Sequence, residues 1–181
     1  MLRVELTSTS VVLECLMAEL MRNPRVMKKV QKEIGRVVGK KPQIDMNDIG
    51  RMDYLKCVIK ENFRLHPLGP LLVQREISGN ISIGGYDVPA KPRLFINAWA
   101  IQREPSSWER PEEFFSERFE NNRVDFKGHD FELIPFGVGR RGCPGLAFGP
   151  GLLVLSISLP MSYIGLIGSC QMMMNYMGTW I

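Results

Sequence analysis

The segment FGVGRRGCPG, residues 136–145, sets one cysteine in a basic, glycine-rich stretch. Its glycines allow tight turns and let a flat ligand approach the backbone closely; they are Gly137, Gly139, Gly142 and Gly145. Arg140 and Arg141 bring positive charge beside Cys143, and peptide N–H groups can donate to its sulfur, so the sequence favours the thiolate form. A thiolate beside a flat ligand is one interpretation. An inert, buried cysteine in a glycine-rich turn is the other.

The remaining cysteines and the histidines form no second candidate site in the sequence. Cysteines occur at positions 15, 57, 143 and 170 without a Cys-x-x-Cys pair, and neither His66 nor His129 has a second ligand at zinc spacing. The sequence therefore predicts neither a disulfide framework nor a structural zinc.

A second chemical feature is the pair Glu61 and Arg64 in the segment KENFRLHP. Residues three apart share one face of a helix, so the carboxylate and the guanidinium can pair. Such pairs are common on solvated helices and contribute roughly tenths of a kcal/mol there. Spacing alone therefore assigns them no function.

The cysteine segment resembles the haem loop of the cytochrome P450 family, whose pattern is F-x-x-G-x-R-x-C-x-G. Its fixed positions are filled by Phe136, Gly139, Arg141, Cys143 and Gly145. The resemblance implies haem b (iron protoporphyrin IX) as the cofactor and Cys143 as the axial iron ligand. It implies cofactor-binding roles for Phe136, Gly137, Arg141 and Gly145 as well.

The same resemblance extends to the Glu61–Arg64 helix. The family completes its E-x-x-R pair with an arginine from a downstream P-E-R-F segment, and FSERF supplies Arg118 here, with Ser116 where proline is usual. The resemblance implies that Glu61, Arg64 and Arg118 form a structural triad that supports the haem loop and is not catalytic. We expect the three side chains to converge.

Arg75, in the segment LLVQRE, matches a family position at which an arginine pairs with a haem propionate. Gln74 replaces the more usual proline before it. The resemblance implies that Arg141 holds a propionate too, because a planar guanidinium suits bidentate carboxylate recognition. Residues 71–73 would line the pocket over the haem, or would simply pack in the core.

Residues 14–145 follow the plant branch of the family almost continuously, but they are well under half of a full-length member. The family's oxygen-activating motif, G-T-D-T-T/S, should lie just before Leu13. Here Ser8 stands at the position of the threonine and Thr7 at that of the acid. Ser8 is the candidate oxygen-activation residue, and the missing carboxylate predicts an impaired proton relay.

The elements that must position these residues are mostly helical. Apolar periodicity predicts helices over 11–22, from Pro24 to about Val38 with Asn23 as N-cap, and over 52–65. Short strands are predicted at 81–83, 86–88 and 93–96, and residues 105–131 are predicted to be mostly loop. The expected fold class is α+β, mainly α-helical with a small β-sheet. The resemblance implies a partial, C-terminal and haem-proximal, cytochrome P450 fold.

The last part of the chain differs in composition from the rest. No charged residue occurs from Phe148 to Ile181, and 151–168 is long enough to suggest a membrane span, although Pro160 weakens that interpretation. Methionine and tryptophan each have one codon, and permitted codons let residues 160–181 read, in the neighbouring frame, as the family's FDWKLP ending. We therefore divide the chain into a haem-binding part, 1–150, and an aberrant, possibly frameshifted tail, 151–181. The tail is expected to pack poorly.

The functional expectation follows from the resemblance. It implies a plant-type monooxygenase that inserts one oxygen atom from O₂ into a small lipophilic substrate with electrons from an NADPH–cytochrome reductase. It places the full-length family at the cytosolic face of the endoplasmic reticulum membrane; residues 1–15 show neither its anchor nor a signal peptide. A non-catalytic fragment (a pseudogene or mis-spliced product) and a haem-binding module without oxygenase activity remain alternatives. This chain alone is expected not to oxidise substrates. With a net charge of +4 and bases mixed with acids, no nucleic-acid partner is predicted.

Overall fold

The computed structural model describes residues 2–39, 41, 44–147, 151, 153, 154 and 156–158. The chain divides into two compact units. The first contains residues 1–62, 114–122 and 145–181, and the second contains residues 63–113 and 123–144. Each unit is described by itself.

The first unit is built on helices. They are α1 (Leu2–Arg22), α2 (Pro24–Val38), α3 (Met46–Gly50) and α4 (Asp53–Leu65), the last passing into the second unit after Asn62. A 3-10 helix spans Ser116–Phe119 and another spans Pro144–Ala147. The predicted helices are confirmed, whereas α3 was not among them.

Apolar spacing explains why α2 buries one face. Val26, Val30, Ile34 and Val37 recur every three or four residues and are buried. Pro24 occupies the first turn and Gly39 closes the helix at φ +59°, as the sequence predicts. Asn23 is the N-cap residue, but its side chain does not cap α2; its Nδ2 donates to the Glu19 carbonyl, 2.9 Å away.

The second unit combines short strands with loops. Strand β1 (Arg75–Glu76) pairs antiparallel with β4 (Arg93–Leu94), and β2 (Ile81–Ile83) pairs antiparallel with β3 (Tyr86–Val88). Gly84 and Gly85, both at positive φ, make the β2–β3 turn, as predicted. Helix α5 (Ala98–Ile101) and a 3-10 helix at Gly139–Arg141 complete the unit. The predicted α+β class with a small sheet is confirmed.

The described part of the tail is packed. Leu153, Val154 and Ile157 are buried, and the Ser158 hydroxyl lies 3.3 Å from Met52 Sδ. The expectation of poor packing is therefore wrong for these positions. The rest of the tail lies outside the described residues, and so does most of the suggested span at 151–168. Among the helices that the structure describes, none is both long and apolar enough to cross a bilayer.

The N-terminus of α4 is capped by a side chain from α2. The buried Glu33 carboxylate accepts hydrogen bonds from the amides of Tyr54 (2.9 Å) and Leu55 (2.8 Å), one at each oxygen. These amides are among the four that an α-helix leaves without internal acceptors. Glu33 therefore stabilises the start of the helix that carries Glu61.

Replacing Glu33 by alanine is expected to lower the free energy of unfolding by about 3 kcal/mol, because two buried amides lose charged acceptors. Urea unfolding followed by far-UV circular dichroism measures this change. The Lys32→Ala variant is the control, since Lys32 is the exposed neighbour on the same helix. Equal unfolding free energies for the two variants would contradict the capping role.

Candidate cofactor-binding site

The segment from Phe136 to Cys143, called the cysteine loop from here on, is closed by its own backbone hydrogen bonds. The Cys143 amide donates to the Phe136 carbonyl (2.9 Å), and the Gly137 amide donates to the Ile134 carbonyl (3.0 Å). Gly137 and Gly139 both have φ +70°, a left-handed conformation that glycine adopts without the strain of a side chain. These hydrogen bonds therefore hold the backbone at Cys143 next to that at Phe136, where the loop begins.

One end of the loop is fixed by aromatic packing. The Phe136 ring meets Phe63 edge-on at a centroid distance of 4.8 Å and Phe126 at 5.7 Å. Phe63 and Phe126 also meet each other edge-on at 5.4 Å. Such edge-to-face pairs contribute about 0.5–1.5 kcal/mol each beyond the area that they bury. Phe136 therefore fixes the start of the loop in the core of the second unit.

Cys143 is the exposed thiol among the cysteines that the structure describes; Cys15 and Cys57 are half-buried. Burial raises the pKa of both of those thiols, so they are poor sources of thiolate near neutral pH. Cys170 lies outside the described residues. Accessibility therefore distinguishes Cys143 from Cys15 and Cys57.

Arg75 approaches the same loop from β1. Its Nη2 donates to the Val138 carbonyl at 3.3 Å. Leu72, at φ +51°, reaches towards Gly137: a Cβ added at Gly137 would lie 3.9 Å from Leu72 Cδ1. Leu71 and Val73 on either side are exposed large apolar residues. Packing in the core is thus not the role of these two side chains.

These residues fit the chemistry of haem. A thiol sulfur is a suitable ligand for haem iron, and the exposed Leu71 and Val73 suit an apolar macrocycle. The guanidinium groups of Arg75 and of exposed Arg141 suit carboxylates. These four residues and Cys143 all belong to the second unit. The donor set is therefore compatible with the cofactor that the sequence predicts.

Glu61 and Arg118 meet within the first unit. Arg118 Nε lies 3.0 Å from Glu61 Oε2 and 3.2 Å from Oε1, and both side chains are buried. The Phe115 amide also donates to Glu61 Oε1, at 2.8 Å. Because the Arg118 Nε–H and the Phe115 amide converge on one buried carboxylate, Glu61 fixes the position of the 3-10 helix at 116–119.

Ser116, the residue at the family's usual proline, has a polar role in this helix. Its hydroxyl lies 3.0 Å from the Tyr54 hydroxyl, and both groups are buried. Burial alone would raise the pKa of the neighbouring Glu117 carboxyl, but hydrogen bonds from Arg25, its own amide and Tyr54 hold that pKa below its usual value. Although serine replaces the family's usual proline at position 116, side-chain hydrogen bonds support the 3-10 helix.

Arg64 is fully buried in the second unit and donates to backbone carbonyls. Its guanidinium reaches the carbonyl oxygens of Pro111 (2.7 Å), Gln102 (2.9 Å) and Glu113 (3.2 Å). Trp108 packs against it, with Arg64 Cζ 5.4 Å from the ring centroid. Arg64 therefore organises the loop after α5.

The two remaining predicted residues belong to the first unit. Ser8 is half-buried on α1, and Thr7 precedes it on the same helix. Gly145 lies in the 3-10 helix at Pro144–Ala147. The structure thus gathers Arg75, Gly137 and Cys143 in one unit and Glu61 with Arg118 in the other.

Two buried polar residues were missed by sequence reasoning. Glu33 caps α4, and Gln102 makes three side-chain hydrogen bonds in the interior of the second unit. For Gln102 the available signal was a polar residue directly after the apolar segment AWAI. For Glu33 the signal was an acid on the apolar face of α2, beside Ile34.

Comparison with known proteins is consistent with this geometry. The family model described as Cytochrome P450 matches residues 6–153. Cytochrome P450 71A1 of Persea americana is 58% identical over 151 residues, which cover 83% of this chain and 30% of that protein. Phenylacetaldehyde oxime monooxygenase CYP71AN24 of Prunus mume is 60% identical over 134 residues, 74% of this chain and 26% of that protein. The chain thus spans less than a third of the length of these relatives. It belongs to the cytochrome P450 family.

Proposed function

We propose that this chain is the haem-binding part of a monooxygenase that inserts one oxygen atom from O₂ into a small lipophilic substrate. NADPH–cytochrome reductase is the proposed electron donor, and the cytosolic face of the endoplasmic reticulum membrane is the proposed location of the whole protein. The observation that carries the proposal is the exposed Cys143 thiol on a loop closed by its own amide. Family membership supports it.

Each site residue has a role in this proposal. When bound, haem supplies the activation of O₂, and a thiolate ligand favours O–O cleavage. Cys143 Sγ would hold the haem iron, Arg75 and Arg141 would pair with the propionates, and Gly137 would leave room for the macrocycle. Phe136 fixes the loop in the core, and Gly145 continues the motif after Cys143.

The proton relay belongs to α1. Ser8 is the proposed residue that holds a proton, at its Oγ, while Thr7 has no carboxylate to supply one. Glu61, Arg64 and Arg118 are proposed to support the site structurally; the buried Glu61–Arg118 pair and the carbonyl bonds of Arg64 favour that role.

Haem ligation is tested with the full chain reconstituted with haem. We expect the reduced, carbon monoxide-treated protein to show the long-wavelength band of a thiolate ligand, and the Cys143→Ser variant to lose it completely. The Cys57→Ser variant is the control and keeps the band, because Cys57 is half-buried. A band that survives in Cys143→Ser, or a chain that shows none, contradicts the proposal.

Thr7 favours a second candidate, a haem-binding module without oxygenase activity, because the acid of the relay is missing. Turnover with reductase and NADPH separates the two candidates. If the oxygenase relay is otherwise intact, Thr7→Asp gains oxygen insertion that the unaltered chain lacks. If both proteins bind haem and neither inserts oxygen, this chain is supported as a haem-binding module, and the monooxygenase stays a proposal for the whole protein to which the chain belongs.

A further inference from the structure

Gln102, the residue that ends α5, has a side chain with no exposed surface. Its Nε2 donates to the carbonyl oxygens of Phe63 (3.0 Å) and Arg64 (2.9 Å), and its Oε1 accepts from the Ile134 amide (2.9 Å). Both donor hydrogens of the amide and its acceptor oxygen are therefore used. A primary amide is the neutral side-chain group that supplies two donors and an acceptor at one point.

The backbone partners of the Gln102 side-chain amide lie in two segments of the chain. Phe63 and Arg64 are near the end of α4, where a helix leaves carbonyls without internal donors. Ile134 lies two residues before Phe136, at which the cysteine loop begins. Gln102 thus joins the end of α4 to the backbone from which the loop starts.

The connection continues through the loop by backbone hydrogen bonds. The Ile134 amide is held by Gln102, and the Ile134 carbonyl accepts from the Gly137 amide at 3.0 Å. The Phe136 carbonyl then accepts from the Cys143 amide at 2.9 Å. A series of hydrogen bonds therefore leads from the Gln102 side chain, through the backbone of the loop, to Cys143.

We propose that Gln102 is a positioning residue for Cys143, acting through the Ile134 backbone. None of these hydrogen bonds joins Gln102 to a glycine of the cysteine loop. Gln102 instead fixes Ile134, whose carbonyl accepts the hydrogen bond from the Gly137 amide. The geometry of the loop carries this inference, and only the haem readout described below rests on the proposed function.

The test compares Gln102→Met with Gln102→Glu in the full chain. Methionine has a similar length and removes all three hydrogen bonds, whereas glutamate in its protonated form keeps an acceptor for the Ile134 amide and one of the two donors to α4. Loss of the bond at Ile134 is expected to raise amide hydrogen exchange at Ile134 and Gly137 by roughly ten- to a hundredfold. Gln102→Glu is expected to leave exchange at Ile134 within about threefold of the unaltered chain.

The position of the cysteine is read from alkylation by iodoacetamide, followed by mass spectrometry of the Cys143 and Cys57 peptides. In Gln102→Met the Cys143 rate is expected to change several-fold while the Cys57 rate stays constant. Gln102→Glu, which keeps the acceptor, restores the Cys143 rate. The matched control is Gln31→Met on α2, which leaves both rates unchanged.

Three results would overturn the inference. The first is faster hydrogen exchange at the Ile134 amide with an unchanged alkylation rate of Cys143. This result would show that the Gln102–Ile134 hydrogen bond has only a local effect. The second is a parallel rise at Tyr54 and Cys57, which indicates general destabilisation. The third is loss of protection of the Ile134 amide against hydrogen exchange in a folded Gln102→Glu variant. This result can be obtained even when Gln102→Met does not fold.

Failure of the proposed function has a separate signature. A chain whose haem shows no thiolate band fails as a haem-thiolate protein, while exchange and alkylation still decide the role of Gln102. If the unaltered chain shows the band, Gln102→Met is expected to diminish it and Gln102→Glu to retain it.

Discussion

Replacement of Arg64 by methionine is expected to lower the free energy of unfolding by about 4 kcal/mol, which is a large share of the roughly 5–15 kcal/mol that stabilises a whole domain. Methionine fills much of the same space, but it donates no hydrogen bond. The carbonyl oxygens of Gln102, Pro111 and Glu113 each lose a charged donor. Loss of a partner costs a buried polar group about 1–3 kcal/mol.

Arg64→Lys tests the geometry separately from the charge. Lysine keeps a positive charge but presents a compact ammonium in place of the guanidinium fork that reaches three carbonyls. We expect it to recover less than half of the lost stability. Urea unfolding monitored by tryptophan fluorescence suits this region, because Trp108 packs against Arg64.

Arg93→Met provides the matched control for Arg64. Arg93 lies exposed on β4 in the same unit, and surface substitutions usually change stability by no more than about 0.5 kcal/mol. If Arg64→Met proved as mild as Arg93→Met, the carbonyl bonds of Arg64 would not be what holds the loop after α5.

Local patterns predicted the elements well where one short segment contains the whole signal. The apolar face of α2, Pro24 at its start and Gly39 at its end lie within 16 residues, and the β2–β3 hairpin is defined by Gly84 and Gly85. The miss at α3 has a local explanation as well. Asp45 and Asp48 form a reciprocal capping box around a single turn, which is too short to show apolar periodicity.

The site divides in a similar way. The candidate roles of Cys143, Arg75 and Arg118 come from segments that resemble a known family, and those roles stay predictions. The roles of Gln102 and Glu33 could not be predicted, since they depend on partners 21 to 39 residues away in the sequence. A buried polar side chain is favourable only with hydrogen-bond partners, and one segment does not reveal those partners.

The tail shows why a prediction of poor packing was wrong for the described residues. Leu153, Val154 and Ile157 are spaced so that they share one helix face, and all three are buried. Burial of apolar surface is non-directional and scales with area. A segment therefore needs only an apolar face and available space to become buried, whatever the history of its sequence.

Arg118→Met is expected to lower the free energy of unfolding by about 3–5 kcal/mol, because it removes the guanidinium from a fully buried carboxylate. Glu61 loses the N–H···O contacts from Arg118 Nε at 3.0 and 3.2 Å and keeps the Phe115 amide at 2.8 Å. A hydrogen bond from a neutral amide does not replace the guanidinium charge beside a buried carboxylate. Urea unfolding at neutral pH gives the change.

The double variant Glu61→Gln with Arg118→Met separates charge from shape. Glutamine keeps an acceptor for the Phe115 amide and carries no charge, so the double variant is expected to be at least about 1 kcal/mol more stable than Arg118→Met alone. Arg25→Met is the control: its ion pair with Glu117 is shorter, at 2.7 Å, but the Arg25 side chain is 70% exposed and that of Arg118 only 7%. Exposed pairs contribute about 0–1 kcal/mol. Equal losses of stability in Arg25→Met and Arg118→Met would contradict the prediction, because burial of the pair would then make no difference. Additive losses in the double variant would contradict it as well, because removal of the Glu61 charge would then give no relief.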